Sequence, residues 1–121
     1  MNPILFRRLL FWAAMIFAFV MAIVPQPPDL PGEPGDKIQH VIAFATLAAL
    51  GSWAYVSASA GKLLAGLSLF GALIEFVQAI PAVHRDSDVK DWIADTIAAA
   101  VVIAIITIWR ARRRRDGQSA P

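Results

Sequence analysis

The chain contains no cysteine in its 121 residues. That removes disulfide staples, thiolate metal sites and cysteine nucleophiles, and it leaves the redox compartment open. Charge is scarce as well: Asp, Glu, Lys and Arg make up 17% of the sequence, where a soluble domain carries about 25%. There is no Gly-rich phosphate loop ahead of a helix, no close histidine pair and no internal repeat. The strict alternation of a lipid-facing barrel strand is absent too. What fills the sequence is apolar: 58% of residues are hydrophobic, and the mean hydropathy is +0.60. A chain so apolar does not stay solvated as an open coil. At one-domain length it has too little polar surface to cover a soluble globule.

The apolar residues fall in blocks. A spanning helix needs about 20 mostly apolar residues to cross a hydrocarbon core about 30 Å thick. Four stretches qualify: Leu9–Val24, reaching back to Ile4 when Arg7 and Arg8 snorkel, then Ile38–Val56, Leu63–Ile80 and Trp92–Trp109. Backbone amides cannot be left unpaired in lipid, so each block is expected to be helical. The expected fold is an all-α membrane protein with four transmembrane helices. Residues 1–8 form a cytoplasmic N-terminus, 9–109 a four-helix membrane domain with helices at 9–24, 38–56, 63–80 and 92–109, and 110–121 a basic cytoplasmic tail. Pro25-Gln26-Pro27-Pro28 stops the first helix. Ser57–Lys62 makes a short turn with Gly61, Pro81–Lys90 joins the last two helices, and the tail from Arg110 is expected to fray. The first block also has the outline of a signal peptide, with Val20-Met21-Ala22 as a cleavage site. Its removal would leave three helices with termini on opposite sides, which suits the charges less well.

Lys and Arg accumulate in cytoplasmic loops. With both termini inside, Arg7, Arg8, Lys62, Arg110, Arg112, Arg113, Arg114 and Arg115 are cytoplasmic, and only Lys37, Arg85 and Lys90 lie outside. The outer side also takes Asp29, Glu33, Asp36, Asp86, Asp88 and Asp91. Trp53, Tyr55 and Trp109 then fall at inner helix ends and Trp92 at an outer one, where amphipathic rings prefer to sit. Charge and aromatic placement agree on an N-in, C-in bundle. The arginine run reads first as a topology anchor beside a helix C-terminus, and nucleic-acid binding is not expected.

Ionisable groups in a spanning helix cost at least about 2.5–3.5 kcal/mol each at its centre for Asp, Lys or Arg, and they face other helices or a wet cavity. The second block carries His40 just after Asp36 and Lys37. The third carries Glu75 and Gln78, and the fourth Asp91 and Asp95. At about 1.5 Å per residue, His40, Glu75 and Asp95 lie roughly 5, 9 and 7–8 Å inside the outer ends of their helices. Faces are expected to agree: His40, Phe44, Leu47 and Gly51 on the second helix, a small-residue stripe Ala65, Ser68, Ala72, Glu75 and Ala79 on the third, and Asp88, Asp91, Asp95, Ala98 and Val102 on the fourth. The simplest arrangement is a polar cluster where helices two, three and four meet, opening outward. Each member also has a plainer role. Asp88 suits an N-cap with Asp91 completing an acidic capping box. His40 suits an interfacial histidine bonded to a carboxylate, and Glu75 and Asp95 suit a structural ion pair. Arg85 can neutralise these carboxylates or bind a phosphate or carboxylate head group.

These residues carry a resemblance. Asp36-Lys37-Ile38-Gln39-His40-Val41-Ile42-Ala43-Phe44 resembles the D-K-x-x-H-x-x-x-[FY] opening of the VanZ-like family of small bacterial membrane proteins. Glu75-Phe76-Val77-Gln78 resembles that family's E-x-x-Q, and Arg85, Asp88, Asp91 and Asp95 its R-x-x-D-x-x-D-x-x-x-N element. Asp95 stands where the family usually has Asn, and Ala98-Ala99 where a Gly-containing pair is common. The resemblance implies a multi-pass protein of the bacterial inner membrane. The family's namesake is associated with low-level resistance to the glycopeptide antibiotic teicoplanin, and most members have no established activity.

Three function classes fit. In the first, an outward polar pocket formed by Asp36, Lys37, His40, Glu75, Gln78, Arg85, Asp88, Asp91 and Asp95 binds a lipid head group, a cell-wall precursor or a glycopeptide-type antibiotic. In the second, a membrane-embedded enzyme uses His40 with Glu75 or Asp91 as an acid–base pair, or a metal on His40, Glu75 and Asp91 or Asp95, to act on a lipid-linked substrate. The third, a proton-coupled transporter, needs self-association, because four helices without repeats are few for alternating access. The expected partners are the lipid bilayer and, with it, a head group or precursor, with room for a homo-oligomer. No cofactor or metal is called for by the first class.

Overall fold

A computed structural model describes residues 1–24, 36–83 and 87–119. Among these the chain is helical, with α1 at Pro3–Ile23, α2 at Asp36–Ala54, α3 at Ala60–Gln78 and α4 at Val89–Ser119, plus a single 3-10 turn at Pro81–Val83. The helix starts have local causes. Asn2 caps α1, its side chain accepting from the Ile4 N–H at 2.9 Å, and Pro3 follows where a missing N–H costs nothing. Ser59 caps α3 by accepting from the Lys62 N–H at 3.1 Å. The α2–α3 connection is therefore shorter than the Ser57–Lys62 turn read from Gly61, which lies inside α3.

The last helix corrects the expectation of a frayed tail from Arg110. α4 runs through Trp109 without a break and ends only at Ser119. Ala and Arg are strong helix formers, and cations near a helix C-terminus meet its negative end. No proline interrupts the run before Pro121.

α1, α3 and α4 are long and apolar enough to cross a membrane. α2 falls short of that measure because Asp36, Lys37, Gln39 and His40 crowd its first turn and a half. The outside of the bundle is apolar on every helix: Phe17 is 68% exposed, Ile42 60%, Leu69 71%, Phe76 71% and Ile105 61%. So much apolar surface suits contact with lipid and not with water.

α2 packs most extensively against α4 and also touches α1 and α3. Phe11, Leu47, Ala48, Leu67, Ala99 and Ile103 form the larger core cluster. Ala48 and Ala99 are wholly buried, so α2 and α4 approach closely although Ala99 stands where the resemblance leads one to look for a glycine. Phe44, Ile74 and Ala22 form a second cluster nearer the other end. Gly71 marks the tightest three-helix junction there. A Cβ at that position would meet Trp92 Cδ1 at 3.2 Å and Phe44 Cζ at 3.3 Å.

The buried face of α3 differs from the expected stripe. It comprises Leu67, Gly71, Ile74, Glu75 and Gln78. Ala65, Ala72 and Ala79 are exposed, and only Ser68 and Glu75 of that stripe turn inward. On α4 the buried positions are Asp95, Ala99 and Ile103, one residue on from the expected Ala98 and Val102. On α2 the expected face of His40, Phe44, Leu47 and Gly51 is buried in full. Gly71→Val is expected to destabilise the bundle by about 1–3 kcal/mol through overpacking. Gly66→Ala, where no atom lies within 4 Å of the added carbon, is expected to stabilise it by up to about 1 kcal/mol. Denaturant titration followed by far-UV helicity in detergent measures both.

Candidate functional site

Three helix ends bring the expected polar residues together. α2 enters with His40, α3 leaves with Glu75, and α4 enters with Asp95. All three side chains are buried, with residual exposures of 8%, 8% and 1%. One ligating atom from each lies within 4.8 Å of the others. His40 Nδ1 and Asp95 Oδ2 stand 3.5 Å apart. Phe44, one turn further along α2 from His40, and Ile74, beside Glu75, give the cluster an apolar floor.

Among the described residues, Ser87 and Asp88 hold Glu75. Its Oε2 accepts the Asp88 backbone N–H at 2.9 Å and lies 3.1 Å from the Ser87 hydroxyl. That hydroxyl also reaches the Glu75 carbonyl oxygen at 2.9 Å, and with one proton it serves one oxygen at a time. The other carboxylate oxygen, Oε1, is buried without a hydrogen-bond partner, as is Asp95 Oδ1. Among the described residues no Lys or Arg lies within ion-pair distance of Glu75 or Asp95.

The start of α4 departs from the expected capping box. Asp88 does cap the helix, its Oδ1 accepting from the Lys90 N–H at 2.9 Å. The Asp88 N–H, however, which a reciprocal box would direct to Asp91, goes to Glu75 instead. Asp91 is half-buried and faces α2, with Lys37 Nζ 3.8 Å from its Oδ1. With Lys37 half-exposed, this pair is a weak surface-type contact. Gln78 is buried and reaches α1, its Nε2 donating to the Ala22 carbonyl at 2.8 Å, while its Oε1 has no hydrogen-bond partner. Arg85 lies outside the described residues, and so does the side chain of Asp36.

Several contributors were not foreseen. Ser87 positions Glu75, and its one sequence signal is a hydroxyl immediately before a capping aspartate. Trp92, read as an interfacial ring, tucks over Gly71 and donates its indole N–H to the Ser68 carbonyl at 2.9 Å. Ser68 and Thr96 hydroxyls pair at 3.1 Å across the α3–α4 contact. A groove of about 470 Å³ between α1 and α2 was also unforeseen. Phe17, Ala18, Met21, Ala43 and Leu47 give it apolar walls, and Gln39 and His40 lie along it. His40 thus borders both the groove and the acidic cluster.

The opposite end of the bundle is basic and aromatic. Arg7 stacks 5.0 Å from the Trp53 ring centre and Arg8 4.7 Å from that of Tyr55. Arg110 donates to the Ser52 carbonyl in the last turn of α2 at 2.9 Å, and Trp12 donates to the Tyr55 hydroxyl at 2.8 Å.

Gln78→Leu leaves the Ala22 carbonyl without its side-chain donor. It is expected to cost about 1–3 kcal/mol of stability, read as a lower unfolding midpoint of the purified protein. No known protein family, curated protein or solved structure matches this chain.

Proposed function

We infer that the chain is a four-span protein of a bacterial inner membrane, N-in and C-in, whose outward polar cluster binds the head group of an envelope amphiphile. The observation that carries this reading is His40. It borders a buried acidic cluster on one side and an apolar groove of about 470 Å³ on the other. An amphiphile has the same two parts. Its hydrocarbon chain lies in the groove between α1 and α2, and its head group reaches past His40 to the acceptors. Because Glu75 Oε1 and Asp95 Oδ1 are buried acceptors without partners, the preferred head group brings hydroxyl or amine donors. Lipid head groups, cell-wall precursors and glycopeptide-type antibiotics all offer such groups. The resemblance of the Asp36, Glu75 and Asp88 segments to VanZ-like proteins supports the same class of ligand.

The orientation has its own support. The cationic side chains of Arg7, Arg8 and Arg110 gather at the end away from Glu75 and Asp95, stacked on Trp53 and Tyr55 or bonded to α2. Positive charge marks the cytoplasmic end, and α2 completes the fourth crossing with His40 buried beside Asp95 and with Lys37 and Gln39 left exposed near its outer end.

One observation favours a second reading. His40 and Asp95 at 3.5 Å have the layout of a base and the group that orients it. A membrane enzyme acting on a lipid-linked substrate would turn over radiolabelled membrane lipid when purified and lose that turnover in His40→Ala.

Two measurements test the main reading. Topology reporters fused after Gly35 and after Pro121 are expected to report outside and inside respectively. Mass spectrometry of lipids retained in native nanodiscs is expected to show one hydroxyl- or amine-bearing species enriched over the bulk membrane. That enrichment falls to the bulk level in His40→Ala and in Glu75→Gln. A retained population identical to the bulk membrane in the unaltered protein overturns the reading.

A further inference from the structure

We propose that His40, Glu75 and Asp95 together hold one divalent transition-metal ion of the Zn²⁺ or Mn²⁺ kind. The first argument is electrostatic. Two carboxylates, 8% and 1% exposed, sit in an apolar bundle with no Lys or Arg of the described residues within ion-pair distance. Buried charge is normally paired or bound to a metal. A doubly charged cation cancels both carboxylates at once, and imidazole with carboxylate is a donor set that suits Zn²⁺ and Mn²⁺.

The second argument is geometric. Ligand atoms on a tetrahedral ion with bonds of about 2.0–2.1 Å stand roughly 3.3–3.4 Å apart. His40 Nδ1 and Asp95 Oδ2 already stand 3.5 Å apart. The Glu75 ligand atom lies within 4.8 Å of the other two.

The third argument comes from the unused lone pairs. Glu75 Oε2 is fixed by the Asp88 N–H at 2.9 Å and faces the Ser87 hydroxyl, while Oε1 is buried with no partner. One oxygen tied by an outer hydrogen bond and the other left to coordinate is the usual support of a metal-bound carboxylate. Asp95 is 1% exposed, and its Oδ1 is likewise without a partner. Three protein ligands leave a fourth position for water or a ligand oxygen. Since His40 also lines the α1–α2 groove, a head-group oxygen reaching past it is well placed to fill that position. The ion goes beyond the amphiphile-binding reading and does not depend on it.

The test uses the untagged full-length protein in detergent, stripped with chelator and delipidated. It is titrated with Zn²⁺ alone and, separately, with Mn²⁺ followed by electron paramagnetic resonance. The unaltered protein is expected to bind one ion per chain and to gain in thermal unfolding midpoint on Zn²⁺ addition. Glu75→Gln and Asp95→Asn, which keep shape and remove charge, are each expected to weaken Zn²⁺ binding at least about 10-fold. Asp116→Asn, an exposed carboxylate in the last turns of α4, is expected to bind as the unaltered protein does. If the unaltered protein binds no ion and its midpoint does not move, the site is refuted. If Glu75→Gln and Asp95→Asn bind Zn²⁺ as tightly as the unaltered protein, it is refuted equally. The unaltered protein's midpoint decides the matter even if a variant fails to fold. Metal binding without lipid enrichment in nanodiscs sinks the amphiphile reading alone, and lipid enrichment without metal sinks the ion alone.

Discussion

Burying two carboxylates in an apolar helical bundle is the constraint around which the rest of this molecule is arranged. Left unsupported, each would cost at least about 2.5–3.5 kcal/mol near the bilayer centre. The chain lowers that cost in three ways. It places Glu75 and Asp95 close to helix ends, not at mid-span. It brings the Asp88 N–H and the Ser87 hydroxyl, just ahead of α4, onto Glu75. It sets His40 beside Asp95. What these contacts leave over is a pair of buried carboxylate oxygens, Glu75 Oε1 and Asp95 Oδ1, without hydrogen-bond partners.

Packing follows from the same demand. Helices can share a polar cluster only if their backbones come close. Gly71 permits this where Trp92 and Phe44 cross α3, and Ala48 and Ala99 permit it between α2 and α4. Gln78 extends the linkage to α1 by satisfying the Ala22 carbonyl in that helix's last turn. The far end solves a different problem. There guanidinium groups stack on Trp53 and Tyr55 and bond to Ser52, which keeps cationic heads beside amphipathic rings. One bundle therefore has two chemically distinct ends, and that asymmetry supports both the proposed orientation and the proposed location of the site.

Much of this was legible in the residues. Four apolar blocks became four helices, with α1 starting at Pro3 and α4 running on to Ser119, past the expected end at Trp109. The shared depth of His40, Glu75 and Asp95 became spatial proximity, because antiparallel helices return equal depths to one level. The buried face of α2 was readable because His40 itself marks it. The face of α3 was not. A small-residue stripe through Ala65, Ala72 and Ala79 looked like a contact surface, yet Leu67, Gly71 and Ile74 are the residues buried. In lipid, apolar side chains gain little by turning inward, so periodicity loses the sidedness it has in water. The Asp88 N–H could not be assigned from the chain either. Local spacing favoured Asp91, and a longer-range acceptor on Glu75 won. The extent of α4 was underestimated because a polar tail was read as frayed, although its Ala and Arg residues favour helix.

The central claim is that α2 and α4 bring His40 and Asp95 face to face inside the bundle. A chain without cysteine gives a clean background for testing it. His40→Cys combined with Asp95→Cys, treated in native membranes with a short thiol-to-thiol crosslinker, is the most direct measurement, with His40→Cys combined with Arg110→Cys, at the opposite end of the bundle, as the negative control. An intramolecular crosslink between positions 40 and 95 and none between positions 40 and 110 is the expected result. No crosslink between positions 40 and 95, although both thiols take up a monofunctional maleimide, would contradict it.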